Sequence, residues 1–394
     1  MDKGKETEAK AGTETGTGTG KMEEKLCAYW LCCFQEIGHK KKREMVNFFG
    51  SPSEVFRAFD KKAVSSAMQN SLQKHIPSMR EKDITLLTAN HDMELIKREY
   101  ELMEKRGISF VYQEEPHWPA RFKNMDDAPL GLFFKGRLPE ENVPAVAVVG
   151  ARAASREGQG IARKFGRELA WKGIQVISGM ARGVDIAAQR GALETDCGST
   201  WAVLGNGVDI CYPRQNIEEF MVIQQRGGLL SEYPPGAPSL PWHFPMRNRI
   251  ISGISDGILV VEAKAGSGSL ITAETALEQG REIFVVPGNI LDGRYEGGNE
   301  LLKSGAFPVT KVQDILDGLG LFYGEEAGQK KKNKVMLETV EEMVYANLSF
   351  EPVHISVLVE KTSLKLQEVM EILLGLQLKK LVSAVGNSYF VLRM

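Results

Sequence analysis

This 394-residue chain contains no GxxxxGK[ST] phosphate loop and no GxGxxG fingerprint, so the two commonest nucleotide-binding signatures are excluded. Its five cysteines form no CxxC pair, which argues against a zinc ribbon or a dithiol redox centre. Cys27, Cys32 and Cys33 cluster, but at a spacing that suits helix packing better than zinc. Of six histidines only His243 falls within residues 145–320, and no Ser/His/Asp, Cys/His or metal-ligand set accompanies it. No apolar run is long enough to span a bilayer, and Met1 to Gly20 is a polar Lys/Glu/Thr/Gly tract without a signal-peptide pattern. These absences predict a cytoplasmic chain that uses neither metal nor organic cofactor. Excess positive charge is missing too: 49 Lys and Arg face 51 Asp and Glu, so any nucleic-acid site has to be a local patch.

What is present is one device repeated. With 43% hydrophobic and 25% charged residues, the chain can bury a large core in two or three domains. Between Val146 and Val309, four apolar runs each end in a glycine-rich turn, the pattern of strands buried on both faces of a parallel sheet. Val146–Val149 leads into Gly150–Ser155, where Ser155 is placed to cap a helix running through Ile161 to Trp171. Gln175–Ile177 leads into Ser178-Gly179-Met180-Ala181-Arg182-Gly183 and a helix over Val184–Glu194. Trp201–Leu204 is followed by Gly205-Asn206-Gly207 and then Tyr212-Pro213-Arg214. Gly257–Glu262 is followed by Lys264-Ala265-Gly266-Ser267-Gly268-Ser269 and a helix over Leu270–Gln279. Turns of this kind present free N–H groups and the positive end of a helix, so an anion is the expected occupant. They converge beyond the carboxyl ends of the strands.

Cations stand beside these turns. Arg152, Arg182 and Arg214 lie in or just after them, while Arg247 and Arg249 flank Asn248 and offer two guanidiniums for bidentate phosphate contacts. The alternative role for Arg247 and Arg249 is a structural ion pair with Glu232 or Glu262. Four phosphate-sized cradles without hydrolytic machinery read as a Rossmann-like, α/β nucleic-acid-binding domain. Its expected contacts are Arg152, Ser155, Ser178, Gly179, Arg182, Asn206, Arg214, Arg247, Asn248, Arg249, Ser267, Gly268 and Ser269.

In order and spacing, Val148-Val149-Gly150-Ala151-Arg152, Ser178–Asp185, Tyr212-Pro213, Ser231-Glu232-Tyr233-Pro234, Phe244-Pro245 with Arg247–Ile251, Ser267–Ala273 and Val286-Pro287-Gly288 resemble the DprA/Smf family of bacterial DNA-processing proteins. The resemblance implies an extended Rossmann fold that binds single-stranded DNA and is not an enzyme. It implies a protein that protects incoming strands during natural transformation, helps load RecA recombinase onto them, and forms a homodimer through the Rossmann domain. By position, Arg152 and Arg214 match the family's basic DNA-contacting residues, the latter usually a lysine. The family's Ala-His-Arg-Gly-Ala-Leu segment reads Ala188-Gln189-Arg190-Gly191-Ala192-Leu193 here, so a role for that histidine does not carry over. Its Gly-Thr-Gly third loop reads Gly205-Asn206-Gly207.

Residues 1–24 read as a disordered tail. Residues 25–110 read as helical, with an Ile37-Gly38-His39 turn and a stop at Gly50-Ser51-Pro52. This part resembles a SAM-like, degenerate helix-hairpin-helix domain or else a plain bundle, and Lys40–Arg43 form a DNA rim or a solvated face. Residues 111–144 read as a connecting segment, 145–320 as the Rossmann-like domain and 321–334 as a linker. Residues 335–394 have the order of a winged helix, with a third helix over Leu366–Leu378 and a hairpin turning at Gly386-Asn387. That helix has only Lys365, Lys379 and Lys380 as cations, which leaves duplex reading and protein contact both open. The competing class is a nucleotide-binding, phosphoribohydrolase-like enzyme using Asp185, Asp209, Glu262 or Glu274 for glycosidic cleavage. Structural roles are available to each: Asp185 and Glu274 near helix starts, Glu262 paired with a neighbouring arginine.

Overall fold

The computed structural model describes residues 16–321 apart from 124 and 197, and residues 339–392 apart from 350–352, 363, 379–381, 385 and 387. Most of the expected tail and linker lie outside the described residues. The chain divides into two compact units at Gly328. No described helix is long and apolar enough to cross a membrane.

The first unit opens with α1 (Gly16–Cys33), α2 (His39–Phe49), α3 (Pro52–Ala58), α4 (Ser66–His75), α5 (Glu81–Ala89) and α6 (Met93–Lys105). Local chemistry sets the breaks. Gly50 takes φ 98° after α2, and the Ser51 hydroxyl accepts the Glu54 N–H at 3.2 Å to start α3 with Pro52 in its first turn. Asp92 caps α6 through the N–H groups of Glu94 and Leu95. Helix α1 begins at Gly16, inside the stretch expected to be disordered. Burial pushes the thiols of Cys27, Cys32 and Cys33 up to about 12, as suits packing residues rather than nucleophiles.

Among the described residues the sheet has nine strands: β1 (Ser109–Tyr112), β2 (Gly131–Gly136), β3 (Ala145–Val149), β4 (Gln175–Ser178), β5 (Thr200–Val203), β6 (Gly228–Ser231), β7 (Gly257–Val260), β8 (Glu282–Val285) and β9 (Phe307–Pro308). Between them run α7 (Arg156–Trp171), α8 (Val184–Leu193), α9 (Ile217–Arg226), α10 (His243–Gly253), α11 (Gly268–Glu278) and α12 (Glu296–Lys303), with α13 (Val312–Gly318) closing the unit. The order is β1-β2-β6-β5-β4-β3-β7-β8-β9, parallel from β6 to β9 and antiparallel at β1 and β2. The segment expected only to connect domains therefore contributes β2, whose Phe133 pairs with Ser231 of β6. The helices before the sheet are not a separate body either. Tyr29 of α1 meets Phe110 and Phe133 edge-on at 5.7 and 5.9 Å, and one apolar core runs from Leu26 to Leu229. Aromatic residues on β1 and β2 need cover on their outer face, and α1 supplies it.

The second unit holds α14 (Thr339–Ala346), β10 (Val353–His354), α15 (Ile355–Thr362), α16 (Leu366–Leu378), β11 (Val382–Ala384) and β12 (Tyr389–Leu392). Its strands order as β10-β12-β11 around a core of Val344, Leu358, Val369, Leu373, Leu376 and Phe390, which is a winged helix. Asn387 of the expected turn lies outside the described residues.

Helices α7 and α8 pack backbone to backbone on one face of the sheet. A Cβ at Gly166 would lie 2.0 Å from the Ala188 carbonyl oxygen, and one at Gly191 would lie 1.9 Å from that of Arg163. Alanine at Gly166 gains up to about 1 kcal/mol of helix propensity but forces the helices apart at about 1–3 kcal/mol or more. Gly166→Ala is therefore expected to lower stability in urea unfolding; a stabilised variant would refute the close crossing.

Candidate nucleic-acid interface

The chain runs outward from β3 in both directions, through β4 on one side and β7 on the other, so the loops after β3 and β7 part at the sheet's switch point. The anion position there is filled from inside. Glu262 is 1% exposed, and its carboxylate accepts the Ser155 N–H at 3.2 Å and the Ser155 hydroxyl at 2.8 Å. The same hydroxyl accepts the Gly158 N–H at 2.9 Å, and a Cβ at Gly158 would come within 2.1 Å of the Glu262 carboxylate. The start of α7, expected to hold an external phosphate through Ser155, thus holds the protein's own carboxylate. Nor does Glu262 form the expected ion pair with Arg247 or Arg249 among the described residues; Ser155 satisfies it instead.

The second turn is organised by Arg247. This side chain is 3% exposed; it donates to the Gly179 carbonyl at 2.8 Å, to the Val203 carbonyl, and from Nε to Asn248 Oδ1 at 3.1 Å. The Gly179 N–H in turn goes to the buried Asp185 carboxylate at 3.1 Å. One residue, Gly179, therefore lies between an anion and a cation through its N–H and its C=O. Burial pushes Asp185 up from the usual carboxylate range and Arg247 down to about 10, each opposed by the other's charge. A Cβ at Gly179 would sit 2.5 Å from Arg247 Nη1, so only glycine admits this approach.

Several expected contacts are consequently engaged within the protein. The Ser178 hydroxyl is buried and donates to the Val148 carbonyl at 2.7 Å, and Asn206 Nδ2 donates to the carbonyls of Gly207 and Ile210. Arg249 is paired with Glu232 and donates to the Asp127 carbonyl at 2.5 Å, the alternative role anticipated for it. Both Arg247 and Arg249 support the loops from beneath rather than offering guanidiniums on their face.

Other groups point outward. Arg152, Arg182 and Arg214 are exposed and in no ion pair with a described residue. Their loops interlock. Gly183 takes φ 81° with no room for a Cβ, whose nearest neighbour would be the Ala151 carbonyl at 2.2 Å, and Asn216 Nδ2 holds the Met180 carbonyl at 2.9 Å. The turns carrying Arg152, Arg182 and Arg214 thus touch in sequence. The Arg152 guanidinium lies 5.1 Å from the Phe244 ring centre, and the half-exposed Tyr212 ring lies 5.6 Å from the same ring. Tyr212 belongs to the sequence motif but is given no stacking role there; its place two residues before Arg214, in a loop beyond a strand end, was the available signal. Farther along, Gly268 is exposed and starts α11 without a side-chain cap, because the Ser267 hydroxyl pairs with that of Ser269 at 2.8 Å. Asn248 reaches toward the Gly268 carbonyl at 3.5 Å.

Residues 109–320 match the family described as DNA recombination-mediator protein A, and residues 329–387 match the DprA winged helix domain. Protein Smf of Escherichia coli K12 is 36% identical over 335 residues, covering 82% of this chain and 89% of that one. The DNA processing protein DprA of Streptococcus pneumoniae is 45% identical over 199 residues, covering 50% of this chain and 70% of that one. The X-ray structure of DprA from the same species superposes with a TM-score of 0.63 at 32% identity, covering 75% of this chain and 97% of its own. Fold and loop ends define a Rossmann-like domain extended by an antiparallel edge and followed by a winged helix. The chain belongs to the DprA/Smf family of DNA-processing proteins.

Supporting and outward-facing arginines have different expected costs. Arg247→Met leaves Asp185 buried without its cation and two carbonyls without a donor, at about 3–5 kcal/mol in urea unfolding. Arg152→Ala, on the surface, should stay within about 0.5 kcal/mol of the parent. Equal losses for the two variants would contradict this division.

Proposed function

We propose that this chain is a non-enzymatic factor that binds single-stranded DNA, shields it during natural transformation and recombination, and helps load RecA recombinase in the cytoplasm. The observation that carries the reading is the joining of the three loops that bear the outward Arg152, Arg182 and Arg214, with the Arg152 guanidinium over Phe244 and Tyr212 beside that ring. Arginines on phosphates position a strand without reading its sequence. An exposed tyrosine beside them adds a stacking face that accepts any base, worth about 1–3 kcal/mol per base. The uncapped start of α11 at Ser267–Gly268 adds N–H groups to the track. RecA as partner and a homodimer through the Rossmann domain are part of this proposal, and family membership supports them.

The rival, a phosphoribohydrolase-like enzyme, needs an uncommitted carboxylate. Glu262 is bound to Ser155, Asp185 to the Gly179 N–H, and Asp209 to the Gly236 N–H at 2.8 Å. Glu274 is exposed on α11. Release of free base from nucleoside monophosphates by the pure protein, abolished by Glu274→Gln, would establish that rival. The winged helix exposes Leu366, Met370 and Leu374 along α16, which favours contact with a protein over reading of duplex DNA.

Salt dependence tests the main reading. If Arg152 and Arg214 each neutralise a phosphate, the double alanine variant should bind oligo-dT more weakly and flatten the log K against log salt slope by about 1.4, at ~0.7 per contact. An unchanged slope with an unchanged melting transition would refute the assignment.

A further inference from the structure

Among the described residues of the first unit, the most exposed large aliphatic side chains stand together on one turn. Ile290 is 88% exposed and Leu291 is 90% exposed, in the loop between β8 and α12. Their exposure is imposed by a braced turn. The Asp292 N–H closes on the Asn289 carbonyl at 3.0 Å, the Asn289 side chain accepts the Leu291 N–H at 2.9 Å, and Asp292 is clamped by Arg294. Ile290 and Leu291 therefore occupy the two corner positions of a β-turn, where glycine, proline, asparagine and aspartate normally stand.

The base of this turn is fixed to the loop that leads into α11. The N–H groups of Gly297 and Gly298 both donate to the Ala263 carbonyl, at 3.0 and 3.2 Å, and a Cβ at Gly297 would meet the Lys264 carbonyl at 2.6 Å. Tyr295 packs so closely on Gly288 that a Cβ there would fall 1.9 Å from its ring. A rigid apolar tip thus rises beside the uncapped start of α11, with the exposed Lys264 on the same loop. Two side chains are too few to core a protein interface, which takes about 800 Å² on each partner. They match in size the apolar wedges that proteins insert between stacked bases.

We propose that Ile290 and Leu291 form a wedge that inserts between bases of the bound single strand and unstacks them, while phosphates track the cationic loops. This deepens the single-strand reading and rests on it. The contact is with base faces alone, so it is separable from the charge contacts of Arg152 and Arg214.

The experiment compares the full chain with an Ile290→Ser/Leu291→Ser variant on oligo-dT and on an abasic strand of equal length, by fluorescence anisotropy. The variant should lose about tenfold in affinity for oligo-dT, keep the parental salt slope, and match the parent on the abasic strand. A second variant, Leu291→Trp, should restore the affinity when combined with Ile290→Ser, and its added indole fluorescence should be quenched by oligo-dT and not by the abasic strand. Equal oligo-dT affinities for the parent and the double serine variant would overturn the wedge, as would an equal loss on both strands. A change in oligomeric state at unchanged affinity would reassign the tip to a contact between copies. No oligo-dT binding by the parent would instead overturn the single-strand reading itself, and the wedge with it.

Discussion

A guanidinium buried beneath the loops holds the ligand-facing end of the sheet together. Arg247 lies 3% exposed on α10, yet it reaches the carbonyls of Gly179 after β4 and of Val203 at the end of β5. A buried cation is tolerable only when its donors are matched and an opposite charge is near, and Asp185 provides that charge from the other side of Gly179. Lysine would not reproduce the set, because its single ammonium could stand only for the Nη1 that serves both carbonyls and would leave Asn248 Oδ1 without the Nε donor. Through this one side chain, α10 and the loops after β4 and β5 have fixed relative positions, and Phe244 on the same helix sets where Arg152 and Tyr212 lie.

Two internal charges therefore occupy the places where a bare strand–turn–helix would draw a ligand. Glu262 serves as the anion at the start of α7, and Asp185 takes the Gly179 N–H of the second turn, with Arg247 beneath it. The proposed partner surface is the rim of Arg152, Arg182, Arg214, Tyr212 and the start of α11. Such a rim suits an extended polyanion better than a small enclosed nucleotide, since its cations are spread over successive loops.

Much of the fold was legible in the sequence because buried parallel strands announce themselves as β-branched runs closed by glycine. Strands β3, β4, β5 and β7 and helices α7, α8 and α11 fall within a few residues of expectation, and Ser155 caps α7 as its position implied. The edge formed by β1 and β2 was not legible, because a strand that pairs antiparallel at an edge and is covered by α1 looks like an aromatic-rich linker. The site was half legible. Sequence marks which residues can bind an anion, but whether they face out depends on long-range partners such as Glu262 for Ser155 and Glu232 for Arg249. The Ser155–Glu262 pairing spans 107 residues and no local pattern encodes it, whereas the sequence offers the Arg249–Glu232 pair only as the alternative to a phosphate contact.

Amide hydrogen exchange with and without oligo-dT reads every loop at once. Exchange is expected to slow in residues 150–155, 180–183, 211–214 and 264–268, with no slowing in residues 339–392. Protection confined to residues 339–392, with those four loops unchanged, would contradict binding at the rim.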